Sequence, residues 1–415
     1  MRTRPVRPFA AAVVAALAFS VLAGCTGSPD RPAEATEGPP SPPPPVRLTA
    51  PPAIPSQPGL PGRAHQPVFA RDGSGFALLA DCVTDPSAPE NGFCRPYVAV
   101  LDAGAKEWVA RRSPLAETRG TEGVSAHLLP LGPGRALIED FSAEPGTRTW
   151  FTRDGGRNWR RGDTRTVGTT PDIPADGVLA TDCAEPAGSV PDDCARQRLV
   201  VVSPVDGRRR ALARVPSLGA FPAPAPLPEP DGSWWVSGAD PRTGRAAVAV
   251  SRDAGRSWRV SALPSPAAGP GRYTAVVVGQ SAVYAAEMGE LSEGKEILNS
   301  MRALHRSVDG GRTWRRMWTT GATREPRSLV GLPVPGPGGR VEIASMFSGF
   351  RSVDGGRTFV ELDDGTAYVR RTALGLLRED LPCQFEITRD GVRWSRFLLA
   401  CGEEGAAGTD GDGTQ

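Results

Sequence analysis

From about residue 61 to residue 402 the apolar positions fall in short runs separated by glycine, proline and charged residues. Residues 77–80, 97–101, 199–203, 275–279 and 341–345 are runs of this kind. Runs of that length bounded by turn formers read as strands, whereas an amphipathic helix needs a 3.6-residue period held over ten or more positions. No such period survives, because proline and glycine supply 92 of the 415 residues and interrupt every stretch long enough to carry one. The pattern predicts an all-β chain.

One turn recurs between the strands. It reads Thr152-x-Asp154-x-Gly156-x-x-Trp159, then Ser251-x-Asp253-x-Gly255-x-x-Trp258, Ser307-x-Asp309-x-Gly311-x-x-Trp314 and Ser352-x-Asp354-x-Gly356-x-x-Phe359. A fifth copy, Thr388-x-Asp390-Gly391 followed by Trp394, is one residue short. Flanked by strand formers, each box is the loop of a β-hairpin. The carboxylate accepts turn amides, the glycine supplies a backbone angle other residues avoid, and the aromatic caps the turn with an apolar face. Reading the acids as calcium ligands is the rival, but one acid per hairpin makes a poor cage. The box aspartates lie 99, 56, 45 and 36 residues apart, and the long gap holds a worn copy at Ser203, Asp206 and Gly207. Another worn copy lies upstream at Asp102, Gly104 and Trp108. Seven units at a mean spacing of about 48 residues fit a four-stranded module repeated around a ring.

The Ser/Thr-x-Asp-x-Gly-x-x-Trp/Phe pattern resembles the Asp-box, or bacterial neuraminidase repeat, of sialidase-like β-propellers. The resemblance implies four-stranded antiparallel blades, seven in number with six or eight still open. It places the boxes between the third and fourth strands, on the face away from the ligand site. That family contains sialidases and also propellers without that activity.

Composition adds an address. Arg2, Arg4 and Arg7 precede an apolar, alanine-rich run, which marks residues 1–24 as a signal peptide. The run ends in Leu22-Ala23-Gly24-Cys25, which resembles a bacterial lipobox. This implies cleavage before Cys25, lipid attachment there, and a site on the outer face of the cytoplasmic membrane of a bacterium. Residues 25–60 are proline-rich and read as a disordered tether, 61–402 as the propeller, and 403–415 as a disordered tail. The net charge of +2 provides no basic field for nucleic acid.

Six cysteines remain beside Cys25. They fall as local pairs, Cys82/Cys94, Cys183/Cys194 and Cys383/Cys401. Fifteen pairings are formally open, but an exported compartment favours disulfides, and the spacings lack the Cys-x-x-Cys of zinc sites. The first two pairs fall on loops between second and third strands, on the face opposite the boxes. The third clamps the mouth of the last blade.

No phosphate loop, nucleophile elbow or metal motif occurs, and no cofactor or metal is expected. A sialidase-like exo-glycosidase would need an arginine cluster, a tyrosine nucleophile with a glutamate, and an aspartic acid. The chain has four tyrosines, Tyr97, Tyr273, Tyr284 and Tyr368, and no Arg-Ile-Pro signature. Tyr284 and Glu287 are close in sequence but three apart in a strand, so they point to opposite faces. His305 reads as a strand side chain, and Trp234-Trp235 as one ring in and one ring out, the latter a candidate for lining a sugar or partner site. The expectation is a non-catalytic, lipid-anchored propeller that binds a protein or a glycan, with the glycosidase as the alternative.

Overall fold

The computed structural model describes residues 50–402 apart from 85–86, 89–90, 121–122, 143–146, 188–193, 268–272, 290–299, 321–325, 327–328, 346–347 and 363–367. The expected signal peptide, Cys25, most of the proline-rich segment and the tail 403–415 lie outside the described residues. The strands assemble into seven sheets, the blades of a β-propeller.

Blade 1 is Arg63–Phe69, Gly75–Val83, Phe93–Leu101 and Val109–Arg112, with Thr118–Arg119 added beside the third strand. Blade 2 is Ala126–Pro130, Ala136–Asp140, Arg148–Thr152 and Arg160–Asp163. Blade 4 is Ala223–Pro224, Trp234–Ala239, Arg245–Ser251 and Arg259–Ala267, and blade 5 is Tyr273–Val278, Val283–Gly289, Ser300–Ser307 and Arg315–Thr319. Blade 6 is Leu329–Pro335, Val341–Ser345, Gly349–Ser352 and Val360–Leu362, and blade 7 is Val369–Thr372, Gly375–Leu381, Gln384–Thr388 and Ser395–Leu398. In these six the first strand lies innermost and each strand pairs antiparallel with the next.

Blade 3 departs from the meander. Its sheet runs Thr166–Thr170, Arg209–Leu212, Cys194–Val202, Val178–Pro186, and the first of these pairs parallel with Arg209–Leu212 at one edge. The chain thus leaves blade 2, lays down one edge of blade 3, and only then turns to Val178–Pro186 at the other edge.

Each blade is buried on both faces. Seven apolar cores fill the seven contacts between neighbouring sheets, including one that joins blade 7 to blade 1 through Phe69, Trp108, Phe385 and Phe397. Alternation therefore sends side chains to two dry interfaces rather than to core and water. This corrects the reading of Trp234 and Trp235. Both are buried, Trp234 between blades 3 and 4 and Trp235 between blades 4 and 5, so neither lines a sugar or partner site.

The box aromatics wedge these same interfaces. Trp108, Trp159, Trp258, Trp314, Phe359 and Trp394 each pack between their own blade and the one before. Blade 3 lacks such a ring. Its Gly207 sits so close to Phe151 of blade 2 that an added Cβ would lie 2.8 Å from that ring.

The ring closes with the segment ahead of blade 1. Gln57 donates its N–H to Leu398, Ala400 donates back to Gln57, and Cys401 donates to Pro58. Ile54 is buried, and the Trp108 indole donates to the Pro55 carbonyl at 3.0 Å. Residues 54–58, within the stretch that composition alone assigns to a tether, are therefore part of the folded unit.

Candidate functional site

The box turns share one hydrogen-bond arrangement. In blade 5 the Ser307 hydroxyl donates to Asp309 Oδ1 at 2.7 Å and accepts the Gly311 N–H at 2.8 Å. Asp309 then accepts the Thr313 N–H and hydroxyl, at 2.9 and 2.6 Å. The turns at Asp154, Asp253 and Asp354 repeat this with Asn158, Ser257 and Thr358 in the place of Thr313. In the shortened copy Arg393 clamps Asp390 instead, through its N–H and its guanidinium. The worn copy also differs, since Asp206 is drawn into an ion pair with Arg210 at 2.7 Å.

Each carboxylate is thus consumed within its own turn. Partial burial opposes ionisation of Asp154 and Asp309, but the donors around them hold both at about 2. The Ser257 hydroxyl and N–H, with Ser251, hold Asp253 at about 2 as well. Acids fixed so firmly as anions in separate hairpins shape backbone and are poor proton donors. Among the described residues no group of three or more His, Cys, Asp or Glu side chains is arranged to hold a metal ion.

Strand direction separates two faces. The boxes join third to fourth strands, so loops joining second to third strands emerge at the opposite end, together with the links between blades. Disulfides join Cys82 to Cys94, Cys183 to Cys194 and Cys383 to Cys401, and all three sit at this loop face. So do the exposed aromatic side chains among the described residues: Phe141 after a second strand, and Phe221, Tyr273 and Tyr368 at links into the next blade. The exposed large apolar residues of the box turns, Val205, Val308, Val353 and Val392, are all valines.

A channel of 410 Å³ runs through the centre, and every blade contributes to its wall. Most of the lining is apolar, from Val68, Leu129, Leu227, Met288, Leu332 and Val369 among others. His127, Tyr273 and Arg370 lie near the starts of their strands, toward the loop face. Among the described residues Arg370 forms no hydrogen bond or ion pair, and burial pushes it down to about 10, an effect opposed by Glu379. Burial likewise raises the Tyr273 hydroxyl. His127 stands 3.9 Å from Glu139, whose other oxygen contacts Arg209 of blade 3. Despite burial those two partners keep the Glu139 carboxyl below its usual range.

Toward the box face the channel is crossed by a salt bridge. Glu229, from the hairpin between the first two strands of blade 4, is fully buried and meets Arg371 of blade 7, with Nε 2.8 Å from Oε1. Its other oxygen accepts the Val278 N–H of blade 5 at 2.7 Å. Burial raises Glu229 to about 7, against the pull of Arg371 and Val278. Arg371 and Thr372 line both the channel and a second cavity of 270 Å³ beyond this pair.

Of the residues weighed for glycosidase chemistry, Tyr284 is buried in the core between blades 5 and 6. Glu287 points elsewhere and binds the fully buried His305, Nε2 to Oε1 at 2.6 Å. The channel lining holds Tyr273 with two arginines, Arg370 and Arg371, and no carboxylate among the lining residues. Arg370, Glu229 and Arg371 carry no motif. They stand out only once the ring places blades 4 and 7 around one axis.

No family model matches the chain, and no curated protein matches it. Among solved structures the chain is similar to a Hadza microbial sialidase, Hz136, at 15% identity and TM-score 0.32, covering 81% of this chain and 66% of that one. It is similar to a Trypanosoma rangeli sialidase in complex with 2,3-difluorosialic acid, at 13% identity and TM-score 0.32, covering 83% and 56%. A GH43_1 enzyme from Xanthomonas citri complexed with xylose aligns at 13% identity and TM-score 0.27, covering 66% and 95%. The chain thus spans just under two thirds of the first of these proteins and just over half of the second.

Proposed function

We propose that this chain is a non-catalytic binding module, lipid-anchored at Cys25 on the outer face of a bacterial cytoplasmic membrane, whose working surface is the loop face of its propeller. The observation that carries this reading is the segregation of exposed aromatics. Phe141, Phe221, Tyr273 and Tyr368 stand on the face that three disulfides brace, while the large apolar residues that the box turns expose are valines. Rigid aromatics at low entropic cost are what recognition of a protein or a glycan uses. The repeated turns belong, on this reading, to the Asp-box class and act as folding corners.

The apolar channel with a lone guanidinium at its mouth suits a ligand that inserts an apolar group and offers an acceptor to Arg370. The test is a paired set of surface variants, Phe221→Ser with Tyr368→Ser on one face and Val308→Ser with Val353→Ser on the other. Binding to a glycan array and to exported proteins of the source cell should fall tenfold or more for the first pair and stay unchanged for the second. Equal losses, or a loss only from the box-face pair, would contradict the assignment.

A further inference from the structure

Apart from the central channel, a cleft of 700 Å³ opens at the loop face between blades 1 and 2. Its lining includes Trp150 from the third strand of blade 2, with Asp140, Ser142 and Arg148 from the same sheet and Arg119 from the short strand added to blade 1. That added strand pairs with Phe93 and Cys94, so the Cys82–Cys94 disulfide braces one wall.

Arg148 carries the argument. The ladder sets it opposite Asp140 on one side and Asp163 on the other. At other such facing pairs the two are joined, Arg198 to Asp182 at 2.9 Å, Arg351 to Glu342 at 2.7 Å and Arg396 to Glu386 at 3.0 Å, and where Arg95 faces Asp81 without joining it, Arg95 binds Glu117 instead. Here neither pair forms. Asp140 turns one oxygen to the Ser142 N–H and hydroxyl, and Asp163 binds Arg165. Among the described residues the half-buried Arg148 guanidinium has no partner, and the second oxygen of Asp140 has no donor. A half-buried guanidinium between two acids that both turn elsewhere is a costly arrangement for stability alone.

We propose that this cleft binds a saccharide bearing a carboxylate, a uronate-containing glycan. The sugar carboxylate meets Arg148 in the two-pronged geometry that suits guanidinium. A ring hydroxyl donates to the free oxygen of Asp140. The apolar face of the sugar ring lies on Trp150, whose indole N–H is buried, so that carbon surface faces the cleft. An acidic peptide satisfies the guanidinium but offers neither the hydroxyl array for Asp140 nor a flat ring for Trp150. The proposal is independent of the channel reading, because no residue is shared between the two linings.

The experiment titrates trigalacturonic acid, maltotriose and an acidic tripeptide into residues 50–415 and into Arg148→Ala, Arg148→Lys, Asp140→Asn and Tyr273→Ala, read by calorimetry and tryptophan fluorescence. Thermal melts establish that each variant is folded. The expected result is binding of trigalacturonic acid alone, weakened tenfold or more by Arg148→Ala and several-fold by Asp140→Asn. Arg148→Lys should recover part of the affinity, and Tyr273→Ala should leave it unchanged. Absence of uronate binding, binding indifferent to Arg148→Ala, or equal binding of the acidic tripeptide would overturn the proposal. Loss on Tyr273→Ala would transfer the site to the channel and overturn it as well.

Discussion

At the scale of the residue, the repeated turn shows how few atoms fix a corner. Ser307 is buried and does two jobs, orienting Asp309 and satisfying the Gly311 N–H. Ser307→Ala strands that buried amide, so chemical denaturation should show a loss of about 1–3 kcal/mol. A loss below the error of the fit would mean the hydroxyl is ornamental. Gly311 has φ of 82°, and an added Cβ would fall 2.4 Å from the Trp235 ring, so this corner also fixes the distance between blades 4 and 5. The key positions of the box were legible because chemistry repeated at a fixed offset stands out from the chain. The partner two residues after the glycine, Asn158, Ser257, Thr313 or Thr358, was not, because three different side chains perform one hydrogen-bonding role.

At the scale of the element, strand positions were readable and strand environment was not. An alternating pattern assigns side chains to two faces but says nothing of what covers each. That is why Trp234 and Trp235, adjacent and both buried, belong to two different cores. The parallel edge strand of blade 3 left no mark either, since Thr166–Thr170 is polar and looks like any linker. The box aromatics make the interfaces testable. Trp314 meets Trp235 edge-on with centroids 6.2 Å apart, and Trp314→Ala should cost about 3–5 kcal/mol in equilibrium unfolding. A smaller loss than from a single Ile→Val change would show that the rings decorate rather than fill. Ring closure is equally exposed to test. Removing residues 50–58 strips the hydrogen bonds from Gln57 and Pro58 to the last strand and uncovers Trp108. The shortened chain should melt several degrees lower or aggregate through the freed edge.

At the scale of the whole molecule, opposing electrostatics set the pH of greatest stability. Asp154, Asp253 and Asp309 titrate near 2, below their usual value, so the stability they contribute is present above about pH 4 and fades as pH falls through 2. Glu229 titrates near 7, above its usual value, so its contribution is present below about pH 4.5 and fades as pH rises through 7. Melting temperature followed from pH 2 to pH 9 should therefore peak between pH 4 and 5. Glu229→Gln should leave the peak near its wild-type height, because Glu229 is itself neutral there, and should flatten the descent above pH 5. A wild-type profile that climbs steadily to pH 8 would refute this account of the cross-channel pair. The molecule as a whole was the most legible level in the chain and its site the least. Seven spaced corners imply a ring, but which side chains meet on the axis depends on the radial order of strands from distant blades.

The central claim is that the loop face binds without turning over a glycosidic substrate. The direct test is to incubate residues 50–415 with a fluorogenic sialoside from pH 4 to pH 8 and follow release of the fluorophore. The account predicts no release above the buffer blank for the wild type and for Tyr273→Phe alike. Release by the wild type that is abolished in Tyr273→Phe would contradict it and make the channel an active site.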